Sequence, residues 1–432
     1  MLFRSNGLSA NADVQLWDGT GTTLLGSSSN NGTTAETISQ SLAAGNYYVR
    51  VFPNSGTTNN TNYSLAVSAT AVVPPTPVPP TPVDWFSQNL RDAELISLTR
   101  SLAADGNLSR NDMISIFRNA EDGNTIDTNE LTDLRTLVAN ASRFTMADSV
   151  RVLSNKIANS DPANPRSGIG NLSAGSTNTQ MENLIGKWFL GTDRPTLTSS
   201  SYTYQYASGS LFQNGAGVND IVQGALGDCY YLATLSSIAQ EKPSYIQNMF
   251  ADNGDNTFTV RFFNNGAADY LTVDRYLPTN SAGYRAYAGW GGGPISSSSN
   301  ELWVALAEKA YAQLAQSGWS RSSTANNAYG DIEGGWMDAV IRQVTGLAAT
   351  SQSITSMNQT QLINLVNSNQ ILTAGFVYGA GYGVVNGHAY TMTAYNSTNS
   401  TFHLRNPWGT QDADVTWAQL LSLRAIVQWS NT

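Results

Sequence analysis

Six prolines fall between Pro74 and Pro82, in the run VVPPTPVPPTPVD. Proline fixes φ and lacks a backbone N–H, so neither a helix nor a central strand continues through such a segment. It favours polyproline II and acts as a semi-rigid spacer. The 432 residues also exceed what one hydrophobic core organises. A multidomain chain is therefore expected, with a first unit over 1–70, a linker over 71–84, and everything else after it.

Before the linker, Val14 and Leu16 alternate with polar neighbours, as do Tyr47, Val49 and Val51, and then Tyr63, Leu65 and Val67. Turn-rich pieces such as Asp18-Gly19-Thr20-Gly21 separate them. Period-two alternation broken by Gly and Asn predicts a small antiparallel β-sandwich. The stretch from DVQLWDGTGTTLLGSS to NYSLAVSA resembles the bacterial pre-peptidase C-terminal domain, LAAGNYYVRV being its most specific piece. That family is a sandwich appended to secreted proteases. Its opening strands have no counterpart here, so the sandwich is read as N-terminally truncated.

After the linker, Leu90, Leu95, Leu98 and Leu102 recur at helical spacing, as do Leu131, Leu134 and Leu137. A short helical segment is expected over 85–165. Its loops ADGNLSRND and EDGNTIDTNEL resemble paired calcium-binding helix–loop–helix units, with Glu121, Asp127 and Glu130 near ligand positions. Asn119 and Asn124 stand where Asp and Gly are expected, which favours plain solvated turns. Residues 166–432 open with helices and close with strands, the order of an α+β domain.

Charged residues are only 12% of the chain, about half the usual share of about 25%. Ser, Thr, Asn and Gly supply the polarity instead, which leans toward a secreted or extracytoplasmic protein. The start lacks the apolar stretch of a signal peptide, and no apolar run reaches the roughly 18 residues of a membrane span. The net charge of −9 argues against nucleic acid as a partner. It suits hard cations such as calcium. The one cysteine, Cys229, excludes an intramolecular disulfide and leaves either an inert core residue or a reactive thiol.

Three segments carry the chemistry. In QGALGDCYYLATLSSIAQ, from Gln223, Leu232, Leu235 and Ile238 mark an apolar helix face beginning near Cys229. Asp228 reads as the N-cap, and the helix N-terminus is expected to lower the thiol pKa. VVNGHAYTMTAY places His388 on a strand after a Gly387 turn, and FHLRNPWG ends a strand at Asn406. A cysteine nucleophile needs a base, and the base needs a group that fixes its tautomer. Cys229, His388 and Asn406 supply these in chain order. Gln223 is a candidate oxyanion donor beside the Cys229 N–H, and Trp408 a cover for the His388–Asn406 pair. His403 reads as a packing or surface residue. Ser298 and Glu301 read as a capping box opening the helix in ELWVALAEKAY.

QGALGDCYYLA, GHAYTM and RNPWG resemble the active-site motifs of the calpain family of papain-like cysteine proteases. VDRYLP, LWVALAEKAYAQL and YGDIEGG are similar to its supporting segments, and KWFLGTDRPT to cyanobacterial calpain-like proteins. The resemblance implies a papain-like α+β domain and endoproteolysis of protein or peptide substrates through a thioester on Cys229. No cofactor is implied for the chemistry itself. The resemblance also implies a calcium site, for which Asp220 matches a ligand position and Gly215 a backbone-carbonyl position. The acidic ligand expected after Tyr329 falls on Gly330 instead, with Asp331 as the candidate ligand close by and Glu333 beyond it. Two rivals stay open: a thioester acyltransferase of the transglutaminase type, against which Asn406 speaks, and a non-catalytic binding or adhesion protein that keeps a protease fold. Oligomeric state is not readable from the sequence.

Overall fold

The computed structural model describes residues 1–54, 62–69, 84–290 and 293–431. The proline run and almost all of the expected linker lie outside the described residues. Two compact units form, Met1–Val83 and Asp84–Thr432.

The first unit holds two three-stranded antiparallel sheets. In one, Leu2–Asn6 lies between Glu36–Ser39 and Ser64–Ser68; in the other, Ala12–Trp17 lies between Leu24–Ser28 and Tyr48–Pro53. Side chains alternate across a strand, so Ala12, Val14 and Leu16 point inward. Val14 and Leu16 join Phe3 and Ile38 of the other sheet in a small core. Leu65 and Val67 alternate in the same way, yet every residue of their strand is exposed.

The second unit mixes helix and sheet. It opens with helices Trp85–Asn89, Ala93–Leu102, Arg110–Asn119, Thr128–Ala139 and Asp148–Ala158. Asp92, Ser109 and Asp127 each cap the helix that follows them. In the loop before Thr128, Asp127 accepts the Glu130 N–H and Glu130 accepts the Asp127 N–H. Both carboxylates are thereby spent on a capping box, in keeping with a plain interhelical turn. The buried side chains of these helices belong to one core with residues as distant as Ala389. Ion pairs reinforce the packing: Lys156 reaches Asp269 at 2.7 Å and Arg110 reaches Asp255 at 2.8 Å.

Two elements make the framework of the site. The first is helix Cys229–Glu241, in which every residue from Tyr230 to Ala239 is buried. It is not amphipathic but enclosed, and its polar side chains bond backbone: Thr234 Oγ1 to Tyr230 O, and Ser237 Oγ to Leu372 O. Truncating a side chain such as Leu232 here costs about 2–5 kcal/mol. The second is a six-stranded antiparallel sheet in the order Ala349–Ser353, Ile426–Ser430, Leu372–Phe376, His388–Asn396, Thr401–Arg405, Ala413–Thr416. The helix lies across strand His388–Asn396, tied by Thr391 Oγ1 donating to Ala233 O at 2.7 Å.

The helix expected to open at Ser298 begins at Trp303 instead, with no side-chain cap. Glu301 turns away and accepts the Gln213 N–H.

Candidate active site

Residues 222–229 run from an extended segment into the head of the enclosed helix. Val222 pairs with Gly289 through both backbone hydrogen bonds, and Ala225 donates to Ala286 O. The contact is backbone on backbone: a Cβ on Gly224 would collide with the Tyr287 carbonyl carbon. Only glycine lets the segment lie this close. The aromatic loop around Tyr287 and Trp290 therefore packs under the Gln223 segment rather than lining a cleft.

Cys229 and His388 face one cleft, whose walls include Gly335, Trp336, Met337, Phe376, Val377 and Ala389. The Gly387 turn, with φ of +69°, delivers the chain into the His388 strand. His388 Nε2 lies 2.9 Å from Asn406 Oδ1. The amide oxygen can only accept, so Nε2 carries the hydrogen and Nδ1 is left as the acceptor for the thiol. Asn406 is fully buried and is itself fixed: its N–H donates to Asp412 Oδ1 at 2.8 Å, and its Oδ1 also accepts the Trp408 N–H. The Trp408 ring lies 4.6 Å from the imidazole and covers the pair.

The electrostatics depart from expectation in one respect. Burial pushes the Cys229 thiol up to about 11, outweighing the Ala389 and helix-head N–H groups that favour the thiolate. The helix terminus alone does not hold a thiolate here. Burial also lowers the His388 pKa, against the Asn406 bond that raises it. Both shifts favour the neutral forms of thiol and imidazole.

Gln223 is brought near but not into the cleft. Its Nε2 donates to Leu226 O at 2.7 Å and its backbone N–H donates to Pro407 O. Asp228 occupies the N-cap position, yet its backbone is not extended and its side chain makes no cap bond. It is fully buried instead. His403 is a surface residue bonded to Asp414. Arg321, which sequence reasoning passed over, bonds the Tyr230 hydroxyl and the carbonyls of Asp331 and Gly334, and so fixes the wall opposite His388. No motif pointed to it.

The carboxylates named for calcium already accept protein donors. Asp220 spends its carboxylate on the Gly217 N–H and the Trp303 indole, and Asp331 accepts the Asn326 N–H. Among the described residues, no three His, Cys, Asp or Glu side chains converge on a metal position. Asp220 and Glu301 face each other, an acidic pair that suits a calcium ion together with backbone carbonyls.

A model of the calpain family cysteine protease matches residues 194–429, more than half of the chain. This chain belongs to the calpain family of cysteine proteases. The family assignment covers the enclosed helix, the cleft and the sheet together. Among relatives, a calpain-type cysteine protease of Zea mays is 30% identical over 221 residues, 46% of this chain and 9% of the relative. A calpain of Caenorhabditis elegans is 28% identical over 231 residues, 48% of this chain and 29% of the relative. Calpain-14 of Homo sapiens is 26% identical over 216 residues, 46% of this chain and 29% of the relative. The calpain-family chain thus spans less than a third of the length of these relatives. No helix among the described residues is long and apolar enough to cross a membrane.

Proposed function

We propose that this calpain-family chain is a cysteine endopeptidase acting on protein substrates through Cys229, His388 and Asn406. The Cys229 thiol gives its proton to His388 Nδ1, and the thiolate attacks a peptide carbonyl carbon. The oxyanion that forms takes the Cys229 backbone N–H, free of any intrahelical partner in the first turn. The second amide hydrogen of Gln223 joins it once substrate enters. His388 returns the proton to the leaving amine as the C–N bond breaks, leaving a thioester. Water, deprotonated by the same imidazole, hydrolyses the thioester and restores the thiol. None of these steps uses a metal ion.

The observation that carries the reading is the 2.9 Å His388–Asn406 bond facing the cleft that holds Cys229. None of the cleft-lining residues lies between 85 and 166. We read the helical segment as a brace for the hairpin Thr257–Asp274 rather than a plug. The N-terminal sheets are read as a pre-peptidase-type module of a secreted protein.

The test is labelling of the whole chain with an epoxide-type cysteine protease inactivator, with and without calcium chelator, followed by mapping of the adduct. Stoichiometric labelling at Cys229, with cleavage of a denatured protein lost in Cys229→Ala, supports the reading. Cleavage retained in Cys229→Ala overturns it, and labelling without any cleavage favours the binding-protein rival.

A further inference from the structure

Directly beneath the nucleophile lie two buried carboxyl groups that the reaction does not use. Asp228 is fully buried and Glu308, on helix Trp303–Leu314, is 1% exposed. Their side chains are in hydrogen-bond contact with each other. Glu308 has one further partner, the Ala288 N–H, at 3.1 Å to both oxygens. Asp228 has none: neither of its oxygens receives an N–H or O–H from any other described residue.

Nearby groups do not relieve the pair. Among the described residues, the cation facing Glu308 is Arg285. Its guanidinium donates instead to the carbonyls of Trp290 and Tyr287. Around Asp228, Tyr230, Tyr231 and Tyr311 donate their hydroxyls to Ile332 O, Ala307 O and Gln343 respectively. On the Glu308 side, Tyr287 bonds Thr198, and Tyr329 is held neutral by burial. Glu333, over Gly227, adds a negative charge facing Asp228. Two carboxylates in contact and out of water, with the Arg285 guanidinium hydrogen-bonded elsewhere, resist ionising together. An acceptor-only Asp228 would also be a buried carboxylate with no donor but its own backbone N–H. A proton on the pair removes both difficulties, since one carboxyl then donates to the other. Burial pushes the ionisation of both groups upward; the contact between them raises Glu308 further and lowers Asp228.

We propose that Asp228 and Glu308 share a proton beneath the head of the nucleophile helix, and that this proton sets the charge against which the Cys229 thiolate forms. The proposal rests on Cys229 being the nucleophile. The proton sits on one carboxyl oxygen and is donated to the other. Its loss to solvent adds one negative charge beside Cys229, which opposes ionisation of the thiol. Asp228 and Glu308 are thus positioning residues that act through Cys229 and touch no substrate. The same pair links the helix head, through Ala288, to the segment that pairs with Val222 and Ala225. It joins the charge beneath the thiol to the placement of the oxyanion donors.

The single cysteine makes the test direct, because any alkylated thiol is Cys229. Alkylation by iodoacetamide is followed against pH in the whole native chain and in Asp228→Asn/Glu308→Gln, an amide pair of the same shape that cannot titrate. The two proteins should react alike at the acid end, where the native pair takes up a second proton and carries no charge. As pH rises the native thiol should fall behind, by up to about tenfold where the added charge makes its ionisation tenfold less favourable. A rate ratio that stays constant across the pH range overturns the proposal. Glu308→Gln alone, whose amide can still bridge Ala288 and Asp228, is the second probe. The infrared carbonyl band of protonated carboxylic acid at neutral pH should lose intensity in that variant, and an unchanged band overturns the proposal too. Both readouts report on the thiol and the carboxyls whether or not peptide bonds are cleaved. Failure of the proposal is therefore distinguishable from failure of the protease reading.

Discussion

The two walls of the cleft are held in different ways. The Cys229 wall is made by burial: a helix enclosed on every side, backbone pressed on backbone at Gly224, and Tyr231 stacked on Tyr311 at 4.1 Å. The His388 wall is made by hydrogen bonds on a sheet. Asn406 holds His388, Asp412 holds Asn406, and the sheet has a second core of its own around Phe376, Tyr390 and Leu404. Substitutions on the first wall should therefore cost fold and chemistry together. Those on the second should remove chemistry from a protein that still folds.

The largest effect expected on the second wall is His388→Ala. It removes the base and acid of both half-reactions, and a loss in kcat/KM of roughly 10⁴-fold is expected. Circular dichroism should stay unchanged. A loss of structure alongside activity would erase the contrast between the walls. Asn406→Ala comes next. It deletes one bond to an imidazole that becomes charged during the reaction, a loss of about 1.5–3 kcal/mol, or roughly 10- to 150-fold in rate. Asn406→Gln is not expected to rescue it, because the Oδ1 position is fixed by the Trp408 N–H.

Gly224→Ala probes the first wall. Its methyl group would press on the Tyr287 backbone, so a stability loss of about 1–3 kcal/mol is expected, read as a lower denaturant midpoint. Cleavage should fall with it, since the same segment carries Gln223 and leads to Cys229. Normal stability with normal activity would show that this segment can move away, and that the first wall is not held by close packing.

How much of this was legible beforehand follows from the range of the interactions. Cys229, His388 and Asn406 each sit in a short motif whose local structure, helix head, strand start and strand end, can be read from neighbours. The calpain-family model spans the same three motifs. Asp228 was misread because an acidic residue before an apolar helix is usually a solvent-side cap. Here φ of −107° and ψ of 28° take it out of the cap conformation and turn it toward Glu308. That partner lies 80 residues away, and no local pattern marks it. The raised thiol has the same origin: enclosure of the helix depends on the strand at His388, which the periodicity of Leu232, Leu235 and Ile238 does not contain. Gln223 carried the right amide at the right spacing, but the Leu226 carbonyl competes for it at close range.

Trp408→Ala should have a smaller effect. The ring at 4.6 Å from His388 contributes about 0.5–1.5 kcal/mol as an aromatic contact. A rate loss of about two- to tenfold is expected, with Trp408→Phe close to native. An equal loss in both variants would mean that the indole acts through something other than cover.

The smallest effect is one of pH, and it separates the walls by sign. Burial depresses the His388 pKa in the folded chain below its ordinary value of 6.5. The unfolded chain therefore takes up a proton first as the solution is acidified. The stability that follows from keeping His388 neutral is complete above about pH 6.5 and is lost as pH falls toward the folded value. The carboxyl pair on the first wall runs the other way. Its ionisation is raised by burial, so its contribution is complete in acid and is lost as pH rises. Melting temperatures of the native chain, His388→Gln and Asp228→Asn/Glu308→Gln, taken from pH 5 to pH 9, should therefore diverge at opposite ends of the scale. The His388 variant should gain on the native protein toward pH 5, and the double variant should gain on it toward pH 9. If both variants gain at the same end, the two walls titrate as one unit. The charge beneath Cys229 and the base above it could then not be tuned separately.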